Sequence, residues 1–149
     1  MIDRATHRTI VMYRVTPNIK AGVEWNAKAN ELGVVANWRA IDETERRPAL
    51  IFGTSSDRIG TPSGQSYYAT VSKSLGRIAP YAGASYSGYE QRVIFPWGVN
   101  VHVAGPVSAM VMNDGVHTHL SATYAHRKAS VTLLLVEREK VGVTVGFTF

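Results

Sequence analysis

The chain has 149 residues, no cysteine and a formal net charge of +5 with a pI near 9.7, a length that suits one domain over residues 1–149 with a substantial interior. The missing cysteines exclude a disulfide framework and a thiolate metal centre. The nearest thing to an apolar run, Leu133 to Val136, falls far short of the roughly 18–20 residues of a membrane helix. A membrane crossing would therefore have to be a closed β-barrel, the other fold that satisfies every backbone group in lipid.

The basic residues are scattered singly rather than clustered on a helix, which speaks against a nucleic-acid partner. Charged turns explain the excess, and the functional alternative is a surface that meets polyanions. A mean hydropathy of −0.06 fits barrel strands, which are half polar and average out.

Taken in order, Thr9 to Val15 sets Val11, Tyr13 and Val15 against Ile10, Met12 and Arg14, and Thr16-Pro17-Asn18 turns the chain. In Ile19 to Asn26, Ala21, Val23 and Trp25 alternate with Lys20, Gly22, Glu24 and Asn26. Leu32 to Ile41 repeats the pattern, with Leu32, Val34, Ala36, Trp38 and Ala40 opposite Gly33, Val35, Asn37, Arg39 and Ile41. Asp42 to Arg47 is charged and too short for a stable helix. Pro48 to Thr54 reads as a strand of uncertain facing, and Ser55 to Gly64 as the most exposed loop.

Ser66 to Leu75 and Ile78 to Ser87 alternate again. The longest alternating run puts Val93, Phe95, Trp97, Val99, Val101 and Val103 on one face, and Pro96 on the other face predicts a bulge or an unpaired stretch. Val107 to Met112 precedes Asn113-Asp114-Gly115, a strong hairpin signal. His117 to Ala125, Ser130 to Val136 and Val141 to Phe149 complete the chain. Short connections between strands of this length predict an antiparallel up-and-down meander, and no segment of helical period competes.

The last nine residues, V-G-V-T-V-G-F-T-F, alternate without a break and stop on an aromatic. Val141, Val143, Val145, Phe147 and Phe149 form one wholly apolar face over glycine and threonine. This resembles the C-terminal signal strand of bacterial outer-membrane β-barrel proteins. The resemblance implies a transmembrane barrel of the outer membrane in contact with lipid and lipopolysaccharide, delivered by the barrel-assembly machinery, with those five residues as the assembly signal. Met-Ile-Asp-Arg at the start is not an export leader, so the signal peptide such a protein needs is not in this sequence.

A second resemblance covers the middle of the chain. Arg47 to Gly53, the Asp57 to Gly60 loop, Tyr67 to Lys73 and Asn113-Asp114-Gly115 are similar in succession to YjbH-like outer-membrane proteins, which are associated with exopolysaccharide export. It implies a reduced relative or a piece of such a barrel, with anionic polysaccharide as a partner.

Single-chain bacterial barrels have an even number of strands, whereas the candidates here come to eleven. Ten strands is the expectation, with Thr9 to Val15 or Val107 to Met112 the weakest candidates, and twelve follows if an upstream part is missing. Apolar residues would face lipid, with Trp25, Trp38 and Trp97 at the membrane interfaces. Arg14, Lys20, Glu24, Arg39, His102, His117, His119 and Ser121 would line the lumen. A buried charge there must be paired or hydrated, so Glu24 is expected to pair with Arg14, Lys20 or Arg39, and an excess of bases would make a narrow pore prefer anions.

No metal or cofactor is expected: His117-x-His119 has metal-ligand spacing on one strand face, but no third ligand is identifiable. His119-x-Ser121 has the spacing seen in outer-membrane phospholipases, but Leu120, Ala122 and Tyr124 take the lipid side, so that hydrolase is the weakest of three readings. The leading one is a non-enzymatic outer-membrane barrel with a structural or transport-associated role. Its rival, a soluble calycin-like barrel around an apolar ligand, reverses every strand: Val99, Val145 and Phe147 would be buried, and Lys20, Glu24 and Arg39 exposed.

Overall fold

The alternation becomes sheet throughout. The computed structural model describes residues 7–137 and 139–149. The strands are β1 (Arg8–Thr16), β2 (Ile19–Asn26), β3 (Glu31–Ile41), β4 (Ala49–Ser56), β5 (Gln65–Ser72) and β6 (Ile78–Ser87), then β7 (Arg92–Ile94), β8 (Trp97–Ala104), β9 (Val107–Asn113), β10 (Thr118–His126), β11 (Ala129–Val136) and β12 (Lys140–Phe147). Among the described residues there is no helix.

These make one antiparallel sheet in chain order, except that β7 lies off the main path and pairs β6 alone. Both strands expected to be weakest form in full, pairing Val11 with Val23 and Val111 with Leu120. The expectation of ten strands is thus corrected to twelve. β7 and β8 are two parts of one crossing, interrupted at Phe95-Pro96 because proline cannot donate to the ladder. Pro96 keeps its place by accepting from the Gly83 N–H at 2.9 Å. Eleven passes along the sheet follow, so β1 and β12 run in the same direction. Among the described residues no pairing joins them, and the sheet is not closed by hydrogen bonds.

The strand ends define two rims: an N-rim, where β1 begins, and a C-rim, where β12 ends. The C-rim has two-residue turns at 17–18, 105–106 and 127–128, and the N-rim carries the longest connection of that rim, 57–64. Thr148 extends the last pairing by donating its N–H to the Lys128 carbonyl at 2.8 Å.

The two faces of the sheet are opposite in character to those of a soluble β-protein. The apolar parity is outside: Val145 is 56% and Phe147 68% exposed, and Trp25, Trp38 and Trp97 are exposed with them. Buried side chains among the described residues are mostly polar, including Glu24, Asn26, Asp57, Thr61, Ser66, Ser85, Ser87 and His119. Only Val35, Ala49 and Ile94 are buried and apolar there. Of the residues that separate the two sequence readings, Val145 and Phe147 lie outside, Glu24 lies inside, Val99 is half-buried, and Lys20 and Arg39 are exposed on the inner face near the C-rim.

Glycine on the inner face makes room for aromatic neighbours. A Cβ on Gly53 would stand 2.5 Å from the Tyr68 ring, and one on Gly98 would stand 2.6 Å from Tyr81. Each tyrosine is the cross-strand partner of its glycine and lies over it, a device that pins register in curved sheets.

Candidate functional site

The inner face is closed off at the N-rim by the connection 57–64, expected from sequence to be the most exposed loop. Instead Asp57 is almost fully buried and Thr61 completely so. The Asp57 carboxylate accepts from the Ser87 hydroxyl at 2.7 Å and from the backbone N–H groups of Tyr89 at 2.9 Å and Arg58 at 2.8 Å. Gly60 and Gly64 have φ of +87° and +113°, a backbone that lets the segment double back. Arg58 pairs with Glu90 at 2.6 Å.

The segment also reaches strands far away in the sheet. Arg8 on β1 donates to the Thr61 carbonyl at 3.2 Å, and Asn26 on β2 donates to the Pro62 carbonyl at 2.9 Å. A Cβ on Gly60 would lie 3.8 Å from Glu137, in the β11–β12 turn. One short segment touches both sides of the sheet, so the sheet is rolled around its polar face.

Under this cap is a cleft of about 460 Å³, lined mainly by Arg8, Glu24, Asn26, Glu31, Ser56 and Gln65. Glu24 reaches across β3 to accept from the Ser56 hydroxyl at 3.0 Å. It can do so because its partner on β3 is Gly33, which has no side chain to block the path. Its cationic partner is Arg8, with Nε 3.6 Å away. Arg8 Nε is buried without hydrogen-bond geometry, so the pair is held by charge and by the Arg8 contacts to Ser56 and Thr61.

The expected network of Glu24 with Arg14, Lys20 and Arg39 is therefore corrected. Those three bases share the inner face but stand nearer the C-rim, where Arg14 is directly opposite Lys20 and Arg39 pairs with Asp42 at 3.3 Å. Like charges facing each other across a ladder are unfavourable unless water or an anion separates them. His102 is on the same face, exposed, on β8.

Charge divides between the rims. Toward the C-rim lie Arg14, Lys20, Arg39, Arg46, Arg47, Lys73, Arg77, Arg127 and Lys128 against Asp42, Glu43 and Glu45. Toward the N-rim lie Arg8, Lys28, Arg58, Arg92 and Lys140 against Glu24, Glu31, Asp57, Glu90, Asp114, Glu137 and Glu139. Among the described residues the excess of positive charge is thus a property of one mouth.

His117 and His119 do not share a strand face. His117 lies in the β9–β10 turn and pairs with Glu137 at 3.5 Å. His119, fully buried on β10, faces Asp114 Oδ2 through Nε2 at 3.0 Å, while its Nδ1 accepts from the Glu137 N–H at 3.3 Å. That pattern puts a proton on Nε2 and a lone pair on Nδ1, and both ring nitrogens are occupied. Ser121 is half-buried on the same face, and among the described residues no hydrogen bond joins it to His119. Nor could any group of three His, Asp or Glu there hold a metal.

Asp114 ties this corner together. Burial alone would raise its pKa, but hydrogen bonds from His119 and from the His117 and Val116 N–H groups hold it below the ordinary carboxylate value. A depressed carboxylate stabilises the fold above its unfolded value of about 4, and that contribution is lost as pH falls through the lowered native value. Thermal unfolding in detergent across that window should show a steep acid limb in the wild type and a shallower one in Asp114→Asn. Equal limbs would remove Asp114 from the stability of this rim.

No family model, curated protein or solved structure matches the chain.

Proposed function

We propose that this chain is the wall of a small transmembrane β-barrel of the outer-membrane type, non-enzymatic, with a structural or transport-associated role. The observation that carries the proposal is the facing of the sheet, with Val, Leu and aromatic side chains outside and Glu24, Asp57, Ser87 and His119 inside. In water that arrangement exposes the surface that should be hidden, whereas in lipid each face meets its own solvent.

The outer aromatics add support. Trp25, Tyr67, Tyr86 and Trp97 stand toward the N-rim, and Tyr13, Trp38, Tyr124 and Phe147 toward the C-rim, with Val, Ala and Leu between them. Two aromatic girdles flanking an apolar band mark the two interfaces of a bilayer. A soluble barrel around an apolar ligand calls for Val99, Val145 and Phe147 buried and Lys20, Glu24 and Arg39 exposed; Val145, Phe147 and Glu24 go against it, Lys20 and Arg39 are exposed as it requires, and Val99 is half-buried.

The test is fractionation and gel mobility. The expected result is insolubility without detergent and, after refolding, a compact band that heating shifts to the unfolded position. A monodisperse protein in plain buffer would overturn the proposal.

The transport version is a narrow path whose C-rim mouth, with Arg14 facing Lys20, favours anions. Lipopolysaccharide or acidic polysaccharide would be attracted by the same charge. With the cap unfastened by Asp57→Ala, the reversal potential in a salt gradient across a planar bilayer should report anion preference. Adding Arg14→Glu and Lys20→Glu should reverse its sign, and an unchanged potential would show that ions do not pass this mouth.

A further inference from the structure

The two edges of the sheet set a condition that the described strands do not meet. β1 and β12 run in the same direction because eleven strands lie on the hydrogen-bonded path. An antiparallel seam therefore needs one more strand between them, running from the C-rim to the N-rim. A second copy crossing the bilayer in the same sense cannot supply it, since both of its edges run the wrong way. Left open in lipid, each unpaired backbone group loses the partner that water would otherwise supply, so an open seam is strongly unfavourable.

The side chains at the seam describe what would fill it. On the inner face, which elsewhere is largely polar, β1 presents Ile10 and Met12, 52% and 38% exposed. From Thr9 to Thr16 every β1 residue is exposed on both faces. On the other side, the inner positions of β12 include Gly142 and Gly146, where a Cβ would meet only Leu134 and Ser130. This sheet already uses such glycines twice as seats for an inward tyrosine, Tyr68 over Gly53 and Tyr81 over Gly98.

We propose that the seam between β12 and β1 is a strand-acceptor site for one β-strand from another polypeptide segment, antiparallel to both edges. The strand has apolar residues outward and large inward side chains that lie over Gly142 and Gly146 and cover Ile10 and Met12. Main-chain hydrogen bonds give affinity, and the alternate inward side chains give register and specificity. The inference rests on the membrane reading, because lipid is what makes an open seam costly.

The absence of native cysteine allows a clean test. Cysteine pairs are placed on the outer face, Val11→Cys with Val143→Cys and, as a second set, Tyr13→Cys with Val145→Cys. Each variant is first checked for membrane partitioning and the heat-shifted compact band, so failure of the membrane reading shows before any cross-link is read. The probe is a synthetic peptide copying residues 78–87 with Ala82→Cys. That segment is β6, which runs from the C-rim to the N-rim and carries Tyr81 inward.

Strands with one strand between them are about 10 Å apart, beyond the reach of a disulfide. The expected result is that neither pair forms a disulfide on its own, that a reagent spanning about that gap bridges them, and that under mild oxidation the single peptide thiol is captured by the β1 cysteine in some molecules and by the β12 cysteine in others. Direct β1-to-β12 disulfides within one chain would mean a parallel closure and overturn the proposal. So would the same disulfides between two chains, or a compact protein whose edges the peptide labels on neither side.

Discussion

Leu133→Arg is expected to cost about 2–4 kcal/mol of stability in a bilayer, the cost of a cation on the lipid face near the midplane. Leu133 is outward and exposed, with Ala122 and Val143 as its ladder partners, near mid-height of both ladders. Thr144→Arg, one residue away from Val143 in sequence but on the inner face, is expected to cost a fraction of that, because its side chain enters the polar interior. The measurement is urea unfolding in lipid vesicles of both variants. The sign of the difference matters more than its size: a soluble barrel with an apolar interior would penalise the inward substitution more.

The second large effect is at the cap. Asp57→Ala removes the acceptor for the Ser87 hydroxyl and for the Tyr89 and Arg58 N–H groups, with Ser87 itself fully buried. Stranding such donors costs about 1–3 kcal/mol each, reduced where the loosened segment admits water, so a total loss of about 2–4 kcal/mol is expected. Asp57→Asn keeps one oxygen and turns an amide toward a donor, so it should fall between wild type and alanine. Two readouts separate the cap from general damage. Protease cleavage within residues 57–64 should rise before global unfolding, and conductance across a planar bilayer should increase. Unchanged conductance with increased cleavage would mean that the cap does not obstruct the path.

Both expectations depend on features of different legibility in the sequence. The outer face could be read residue by residue, because a period of two in Val, Trp and Phe reports only which side a strand turns to its surroundings. The interruption at Pro96 was equally plain, since one missing donor has one consequence. The strand number was not legible in the same way. Thr9 to Val15 looks weak because its inner residues, Ile10 and Met12, are apolar, and the structure keeps it as an edge strand.

The cap was misread for a physical reason. Asp, Gly, Ser and Pro signal a departure from regular structure, and they do so alike whether the turn faces solvent or folds inward. What decides is the distant partner, Ser87 for Asp57 and Arg8 for Thr61, and no local pattern encodes it. The one usable hint was the pair Gly60 and Gly64, whose positive φ lets a connection of this length double back. Glu24 reads as an inward charge in need of a partner. The partner was missed because Arg8 lies just before the expected start of its strand. Asp114 was read as part of a turn, and its reach back to the buried His119 needed the fold.

The central claim is that the outer face meets acyl chains, and depth-dependent quenching by brominated lipids tests it most directly. Single-tryptophan variants keeping Trp25, Trp38 or Trp97 are compared with Leu133→Trp and Thr144→Trp in a tryptophan-free background. The account expects the three native tryptophans to be quenched most by bromines near the headgroups, Leu133→Trp most by bromines near the bilayer centre, and Thr144→Trp little by either. Native tryptophans unquenched at every depth would contradict it, as would stronger quenching at residue 144 than at residue 133.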